Sequence, residues 1–384
     1  ILDWETWLRE WNQRYQAYGS SKLKKDTTPS KPGDKKQHPW RTGMEKSLER
    51  LKQILNISGI EQHLQNHSID TLILIPHRDL HRFPLHAFFD HYTCTYLPSA
   101  DVGLQQQAKH QSKALNSLLI VENPKSSPEV TGKAKTLPDL PFAEVEAALI
   151  RQMFSEVTAI ENPNTTREQL LKVLPTPHIE LRLNVVDNHS KGDKLLSLIG
   201  TKCHQVFHFT GHGAYNSANP AQSCLFLHGT DQLTLCDVVR LDLSSYSLIC
   251  LAACETAVTG DQTITDEYVG LVSAFLEAGV TNVVSTLWTV ESAATTLLIV
   301  EFYQQLHAGQ PPKAALKAAQ TWLKTATRDQ LIEWLDAVMP KLSQQRSLQL
   351  VLEDQRSKWL DTLNNTDPPY SHPYYWASFT ISGL

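Results

Sequence analysis

Two reactive side chains follow apolar, strand-like segments in the second half of the sequence. His212 comes after residues 205–209 and has a glycine on each side, and Cys254 comes after residues 247–251. In an open α/β sheet, functional side chains gather beyond the carboxyl ends of the strands. If these two strands are neighbours, the sequence predicts that an imidazole and a thiol face each other at one edge of the sheet.

Such a pair is what nucleophilic catalysis by a thiol requires. A free cysteine has a pKa of about 8.5 and is mostly protonated at neutral pH, whereas an adjacent histidine accepts the proton and stabilises the thiolate. Gly211 and Gly213 let the backbone turn sharply and approach a substrate. The N–H groups of Gly213 and Cys254 are candidate donors to the oxyanion of a tetrahedral intermediate. From spacing alone, a histidine and a cysteine of the core remain the alternative.

The other histidine and cysteine side chains near this pair are interpreted as structural. His208 lies inside its strand and is expected to point into the core, and Cys250 alternates with Leu251 in the second strand. The remaining cysteines are also interpreted as structural: Cys94, Cys203, Cys224 and Cys236.

The sequence predicts neither a metal ion nor a cofactor. His208 and His212 are four residues apart, as in the zinc motif H-E-x-x-H, but that motif needs a helix and a glutamate directly after its first histidine. Here Phe209 follows, on a strand, and Gly211 lies between the two histidines. Neither a P-loop nor a G-x-G-x-x-G motif is present, so nucleotide chemistry has no support.

The elements that must position the pair alternate between β and α patterns. Short apolar runs predict strands at 71–76, 92–97, 117–121, 205–209, 223–227, 247–251, 281–287 and 371–383. Helical spacing predicts helices at 44–64, 142–154, 166–174, 267–278, 291–307, 311–326, 329–338 and 342–362. This alternation predicts an α/β fold, with a mostly parallel sheet and helices on both faces.

The first part of the chain has a different character. Residues 1–20 carry apolar side chains at spacings of three and four, which predicts an amphipathic helix. We expect it to pack on the body of the protein, and a partner-docking face is the alternative. Residues 21–42 are rich in lysine, arginine and proline and predict a flexible basic linker, with a local basic patch as the alternative.

Composition and charge limit the classes of function. Of 384 residues, 41% are hydrophobic and 20% charged, which excludes disorder over most of the chain. The net charge of −5 offers no general attraction for nucleic acid or an anionic membrane.

No apolar run is long enough to span a bilayer, and the amino terminus lacks the features of a signal peptide. Six cysteines without a C-x-x-C pair predict reduced thiols in a cytoplasmic protein, and the missing initiator methionine suggests a fragment or a processed chain.

An ordered set of motifs in this sequence resembles the CHAT domain, a branch of the caspase-like cysteine peptidases that also includes separase. The motifs are LIPHRDL at 74–80, FPL at 83–85, YLPSA at 96–100, HFTGHG at 208–213, LAACET at 251–256, AGVTNVVSTLW at 278–288, FY at 302–303 and HPYYWASF at 372–379. The resemblance covers residues 70–384 and implies a caspase-like αβα sandwich. It also implies that His212 is the catalytic base and Cys254 the nucleophile.

The same resemblance suggests residues that bind substrate. Members of this group often carry Trp-x-Val-Asp-Asp where this chain has Trp288-Thr-Val-Glu-Ser292. Glu291 would supply a negative charge for a lysine or arginine side chain, but Ser292 stands in place of a carboxylate. Basic specificity and a solvated surface role for Glu291 therefore both stay open.

Three further acidic residues are candidates for the substrate cleft. Glu255 follows the proposed nucleophile, where an acidic residue is usual in the family, and either orients the backbone or helps to position the dyad. Asp261 and Asp266 belong to the loop after Cys254, and such loops line the substrate cleft in caspase-like enzymes. Helix capping is the alternative for Asp266.

The resemblance implies a cysteine endopeptidase that cleaves a specific protein in a regulated bacterial signalling, immunity or cell-death pathway. A catalytically silent caspase-like scaffold is the alternative.

We divide the chain into an N-terminal helix and linker (1–42), an N-terminal, pseudo-caspase-like lobe of the CHAT region (43–190) and a catalytic part (191–384). Because CHAT domains often follow TPR repeats, residues 1–42 are expected to connect the protease to a regulatory protein or a TPR-like sensor. Neither nucleic acid nor a membrane is expected as a direct partner.

Overall fold

A computed structural model gives the arrangement of most of the chain. The residues that it describes are 2–25, 38–109, 115–127, 140–175, 204–214, 220–252, 265–289 and 291–384. The helices are α1 (Leu2–Lys25), α2 (Pro39–Thr42), α3 (Met44–Ile54), α4 (Ile57–Gln65), α5 (Ala100–Lys109), α6 (Pro141–Arg151), α7 (Arg167–Val173), α8 (Leu235–Val238), α9 (Thr265–Glu277), α10 (Ser292–His307), α11 (Pro312–Thr325), α12 (Arg328–Val338), α13 (Arg346–Thr362) and α14 (Pro373–Trp376). None of these helices is long and apolar enough to cross a membrane.

Eight strands form one sheet in the order β1-β2-β11-β10-β9-β5-β3-β4. Their bounds are β1 (Thr71–Leu74), β2 (Thr93–Tyr96), β3 (Ser117–Glu122), β4 (Glu156–Ile160), β5 (Val206–Thr210), β9 (Leu248–Ala252), β10 (Asn282–Thr286) and β11 (Phe379–Gly383). Six of the neighbouring pairs are parallel, and only β10 and β11 pair antiparallel. The sheet therefore consists of two parallel blocks that run in opposite directions. A second, antiparallel sheet contains β6 (Gly213–Ala214), β7 (Cys224–Phe226) and β8 (Gln232–Thr234).

Both faces of the large sheet are covered. Every residue of β5, β9 and β11 is buried. Because successive side chains of a strand point to opposite faces, such burial requires a packed layer on each side, as in α/β proteins. On one side α10 packs against α6 and α11, and α9 packs against β10. The predicted fold class, a mostly parallel sheet with helices on both faces, is confirmed.

The N-terminal helix packs on the body of the protein, as expected. Trp7, Trp11 and Tyr18 of α1 are buried, and the Trp7 ring meets the Phe83 ring edge-on at 4.8 Å between centroids. The Tyr18 hydroxyl lies 3.1 Å from the Tyr374 hydroxyl, which joins α1 to α14 near the end of the chain. The aromatic stripe of this helix is therefore part of the core.

Three predicted elements differ from the structure. Of the linker predicted at 21–42, residues 21–25 continue α1 and residues 39–42 form α2, in which Trp40 and Arg41 are buried. The helix predicted at 44–64 is two helices, because Asn56 adopts the left-handed backbone conformation (φ 49°) between α3 and α4, which asparagine tolerates better than most residues. The strand predicted at 371–383 begins only at Phe379, because the short helix α14 precedes it. Pro373 at the first position of α14 and the His372 side chain, which accepts the Tyr374 N–H, favour that helical turn.

Candidate active site

The strands that lead to the two candidate catalytic residues are neighbours. β5 and β9 pair in parallel from Val206 opposite Leu248 to Thr210 opposite Ala252. The two strands thus end level with each other at one edge of the sheet. His212 follows Thr210 by two residues in the sequence, and Cys254 follows Ala252 by two. The structure therefore confirms the strand arrangement on which the prediction of a facing pair depended.

His212 lies between the end of β5 and the start of β6. Its side chain is only 2% exposed, and its carbonyl oxygen accepts the Phe226 N–H at 2.9 Å. This backbone bond ties the turn after β5 to the small antiparallel sheet. The position of the imidazole is thus determined by one strand on each side of a two-residue turn.

Close packing at Gly211 requires glycine in that turn. A Cβ atom added there would lie 2.9 Å from Cδ of Pro124 and 3.0 Å from the Phe209 ring. Neither neighbour is the free end of a flexible side chain, so the backbone would have to move. The absence of a side chain at Gly211 therefore places the preceding strand and His212 close to the loop after β3.

Gly213 begins β6 opposite Leu225 of β7. In an antiparallel pair, facing residues alternate between hydrogen-bonded and non-hydrogen-bonded positions. Because the Phe226 N–H donates to the carbonyl of His212, Gly213 occupies a non-hydrogen-bonded position. Its N–H therefore points away from the β6–β7 ladder.

The other predicted site residues fall in different regions. Cys254, Glu255 and Asp261 lie outside the described residues. Asp266 lies in the first turn of α9, and its side chain is not described either. Glu291 directly precedes α10 and is half-buried.

Glu291 lies beside a cluster of buried tyrosines. Burial raises the pKa of Tyr370 well above its ordinary value, and the Glu291 charge raises it further. Burial, followed by the charge of Glu291, raises the pKa of Tyr375 to about 12. The Arg41 guanidinium opposes this charge; it stacks over the rings of Tyr374 and Tyr375 at 4.1 and 4.6 Å. The Glu291 carboxylate thus faces an aromatic surface that also holds a cation from the N-terminal segment.

His208 is buried, as expected, but it belongs to a polar network that sequence reasoning missed. Its Nε2 lies 3.1 Å from Oε1 of Glu146 on α6, and its Nδ1 lies 3.2 Å from the Tyr303 hydroxyl on α10. Glu146 is 1% exposed. Burial, with Cys250 and Glu146 nearby, raises the pKa of Tyr303 well above its ordinary value, so the phenol remains a hydrogen-bond donor. Glu146 stands at a core-facing position of an apolar helix, and this was the only signal of the network in the sequence.

The described residues show the following for the thiols and the potential metal ligands. The four described cysteines, Cys94, Cys224, Cys236 and Cys250, are all free. Within the described ranges, no group of three or more histidine, cysteine, aspartate or glutamate side chains could hold a metal ion.

Comparison with known proteins identifies the family. The model of the CHAT domain matches residues 45–384. No curated protein matches the sequence. Among solved structures, the chain is similar to the Arg-specific cysteine proteinase gingipain R, with 13% identity, 59% of this chain and 49% of that one covered, and a TM-score of 0.36. This chain thus spans about half the length of that structure.

Two further structures show a similarity of the same low degree. A complex of the pro- and mature domains of RgpB from Porphyromonas gingivalis has 10% identity, with 85% of this chain and 67% of that one covered and a TM-score of 0.44. Separase in the Saccharomyces cerevisiae separase–securin complex has 13% identity, with 63% and 14% covered and a TM-score of 0.39. We draw no functional conclusion from similarities this low. The family model, in contrast, covers most of the chain and agrees with the ordered motifs, and this protein therefore belongs to the CHAT domain family.

Proposed function

We propose that this protein is a cysteine endopeptidase with Cys254 as nucleophile and His212 as general base. One observation carries the proposal: β5 and β9 are adjacent, parallel and end level, and each candidate residue follows its strand by two positions. Membership of the CHAT family adds support, since the motifs around both residues belong to that family's pattern. The buried position of His212 supports the same role, because a base shielded from water interacts more strongly with a thiolate.

The proposed reaction proceeds through an acyl-enzyme. His212 accepts the proton of the Cys254 thiol, and the sulfur attacks the carbonyl carbon of the scissile peptide bond. The N–H groups of Gly213 and Cys254 donate to the oxyanion that forms. His212 then gives its proton to the departing amine, and the C–N bond breaks. His212 then takes a proton from water, whose oxygen attacks the acyl carbon. The C–S bond breaks, the carboxylic acid leaves, and His212 returns its proton to the Cys254 sulfur.

The proposed substrate is a specific protein. Glu291 is proposed to lie at the substrate cleft and to attract a basic side chain, and Glu255, Asp261 and Asp266 are proposed to line the same cleft. The positive charge of Arg41 lies near the same tyrosines as Glu291 and acts against it there, raising and lowering their pKa values in opposite directions. We therefore propose a preference, rather than an absolute requirement, for lysine or arginine before the scissile bond.

The proposed setting is a cytoplasmic bacterial pathway of signalling, immunity or cell death. A partner or a TPR-like sensor would control the enzyme there, as the family resemblance implies. The buried aromatic face of α1 leaves this contact to the remaining surface of residues 1–42. Deletion of these residues is expected to change activity or partner binding, but it would also remove core aromatic side chains. Substitutions on the exposed face of α1, such as Glu5→Lys, test the contact more cleanly.

Alkylation of the native protein over a pH series tests the dyad without knowledge of the substrate. We expect Cys254 to react faster than Cys236, which is half-exposed, and to react below the pKa of about 8.5 of a free thiol. His212→Ala should slow Cys254 about tenfold or more. His67→Ala removes an exposed histidine and should change nothing. Equal rates at Cys254 and Cys236, or no effect of His212→Ala, would favour the silent scaffold.

A further inference from the structure

A cavity lies under α11, on the part of the sheet formed by β2 and β11. Its volume is about 170 Å³, and it is open to solvent on one side. A cavity of about 150 Å³ is enough to hold benzene. β2 and β11 run opposite to β5 and β9, so their amino ends share the sheet edge at which β5 and β9 end. With strands about 4.8 Å apart, β11 and β2 lie about 10 and 14 Å from β9, so the cavity is distinct from the candidate active site.

Positive charge dominates the walls of this cavity. Lys313, Lys317 and Lys324 of α11 line it, and Asp90 is the acidic residue among the lining side chains. His86 also lines the cavity, but burial and the nearby charge of Lys317 lower its pKa to about 3, so the imidazole is neutral at physiological pH. The cavity thus carries a net positive charge.

The two inner lysines differ in how well they are paired. The Lys324 ammonium lies 3.1 and 3.3 Å from the two oxygens of Asp90 and 4.8 Å from the centre of the Trp376 ring. The Lys317 ammonium lies 3.9 Å from Asp90, beyond hydrogen-bond distance. Among the described residues, no acceptor forms a hydrogen bond with it. Burial lowers the pKa of Lys317 although Asp90 counteracts the effect, which is what an incompletely paired ammonium shows.

The rest of the cavity is mostly apolar, and hydrogen bonds hold its wall in place. The Gln320 amide donates to the carbonyls of Trp376 and Phe379 at 3.1 and 2.8 Å, which joins α11 to the end of α14 and the start of β11. Burial raises the pKa of the Cys94 thiol to about 12, so that this wall stays uncharged. A ligand would therefore meet a fixed apolar surface with an ammonium group beside it.

We propose that this cavity binds a small organic anion, with an apolar body on the sheet and a carboxylate or phosphate group on Lys317. Lysine is a point charge with three donors and accepts either group. The binding itself does not depend on the proposed peptidase activity.

Calorimetric titration of the full chain with matched probes tests the proposal. Benzoate and phenyl phosphate distinguish the two anionic groups, and benzamidine has a similar shape but the opposite charge. We expect saturable binding of at least one anion and none of benzamidine. Lys317→Met should weaken the binding about tenfold or more, because a charged hydrogen bond is lost.

Lys358→Met is the matched control, since Lys358 is an exposed lysine of α13 that pairs with Asp354, and it should bind like the wild type. If Lys317→Met fails to fold, Lys313→Met provides a second test and should weaken binding in the same direction. The proposal is overturned if neither anion binds, if benzamidine binds as tightly, or if a folded Lys317→Met chain binds the anion unchanged.

Discussion

The two blocks of the sheet bury polar groups in different ways. In the block of β5 and β9, His208 hydrogen-bonds to both Glu146 and Tyr303, and all three residues are at most 1% exposed. In the block of β2 and β11, Asp90 and Lys324 pair at the mouth of an open cavity, where Asp90 is 57% exposed. The first arrangement is closed and fully packed, whereas the second keeps space and a partly paired charge.

The two regions therefore differ in role: the closed network keeps the candidate active site in place, and the open cavity is the proposed ligand site. A buried polar network is stabilising only when all its members are satisfied, and it then favours one arrangement of the elements that it joins. The network of His208 joins α6 and α10 to the strand that leads to His212. An open, charged cavity instead has space and incompletely paired charge for a ligand of opposite charge. We therefore expect substitutions in the first region to affect stability and activity, and those in the second to affect binding.

The largest expected effect is that of Cys254→Ala on peptide hydrolysis. Loss of the nucleophile should reduce cleavage about a thousandfold or more, whereas Cys236→Ala should stay within about twofold because that thiol has no proposed role. Mass spectrometry of peptides from a digested library measures both. Cleavage that persists in purified Cys254→Ala contradicts the assignment of the nucleophile.

Removing one carboxylate from each block compares the two regions directly. Glu146→Leu leaves the His208 Nε2 without its partner in the core and should lower the free energy of unfolding by about 3 kcal/mol. Asp90→Ala breaks an exposed pair and should cost at most about 1 kcal/mol. Urea unfolding at pH 7 measures both values. If the free energy of unfolding falls equally in the two variants, the buried network of His208 contributes no more to stability than the exposed pair.

The pH dependence of stability should reveal His86 beneath the cavity. Its pKa is about 3 in the folded protein and 6.5 in the unfolded chain, so only the unfolded chain takes up a proton between these values. Stability is therefore complete above pH 6.5 and falls as the pH decreases, by about 2 kcal/mol at pH 5.

The loss of stability between pH 7 and pH 5, measured by urea unfolding, should be smaller by that amount in His86→Gln. Taking the difference between two pH values removes any constant cost of the substitution. The exposed His67 provides the control, and His67→Gln should lose as much stability between the two pH values as the wild type. If His86→Gln loses as much stability between pH 7 and pH 5 as the wild type, this histidine is not buried in its neutral form.

A further expected effect concerns the turn before His212. Gly211→Ala would bring a methyl group within 2.9 Å of Pro124 and should cost about 1–3 kcal/mol. It should also slow alkylation of Cys254, because His212 would move with the turn. Gly270→Ala, inside α9 and 3.1 Å from a flexible leucine end, should be neutral or slightly stabilising. Wild-type stability and alkylation in Gly211→Ala would contradict a tightly packed turn.

Much of the fold could be predicted from local pattern. The strands before His212 and before Cys254 were each placed within one residue, because a short apolar run bounded by glycine or polar residues is a local signal. The edge strand β4 and helix α5 were missed. β4 is partly exposed and carries no continuous apolar run, so its strand character depends on pairing with β3. The domain boundary at residue 190 remains a prediction, although the large sheet takes strands from both sides of it.

The sequence alone determined the residue types, the strands that lead to His212 and Cys254 and the membership of the CHAT family, because these are features of order and local spacing. Only the tertiary structure decided that β5 and β9 are neighbours, that Glu146 and Tyr303 bind His208, and that three lysines of α11 line a cavity with Asp90. These contacts join residues far apart in the chain, such as Tyr303 and His208. Packing of helices on the sheet determines them, and no local pattern records which elements meet.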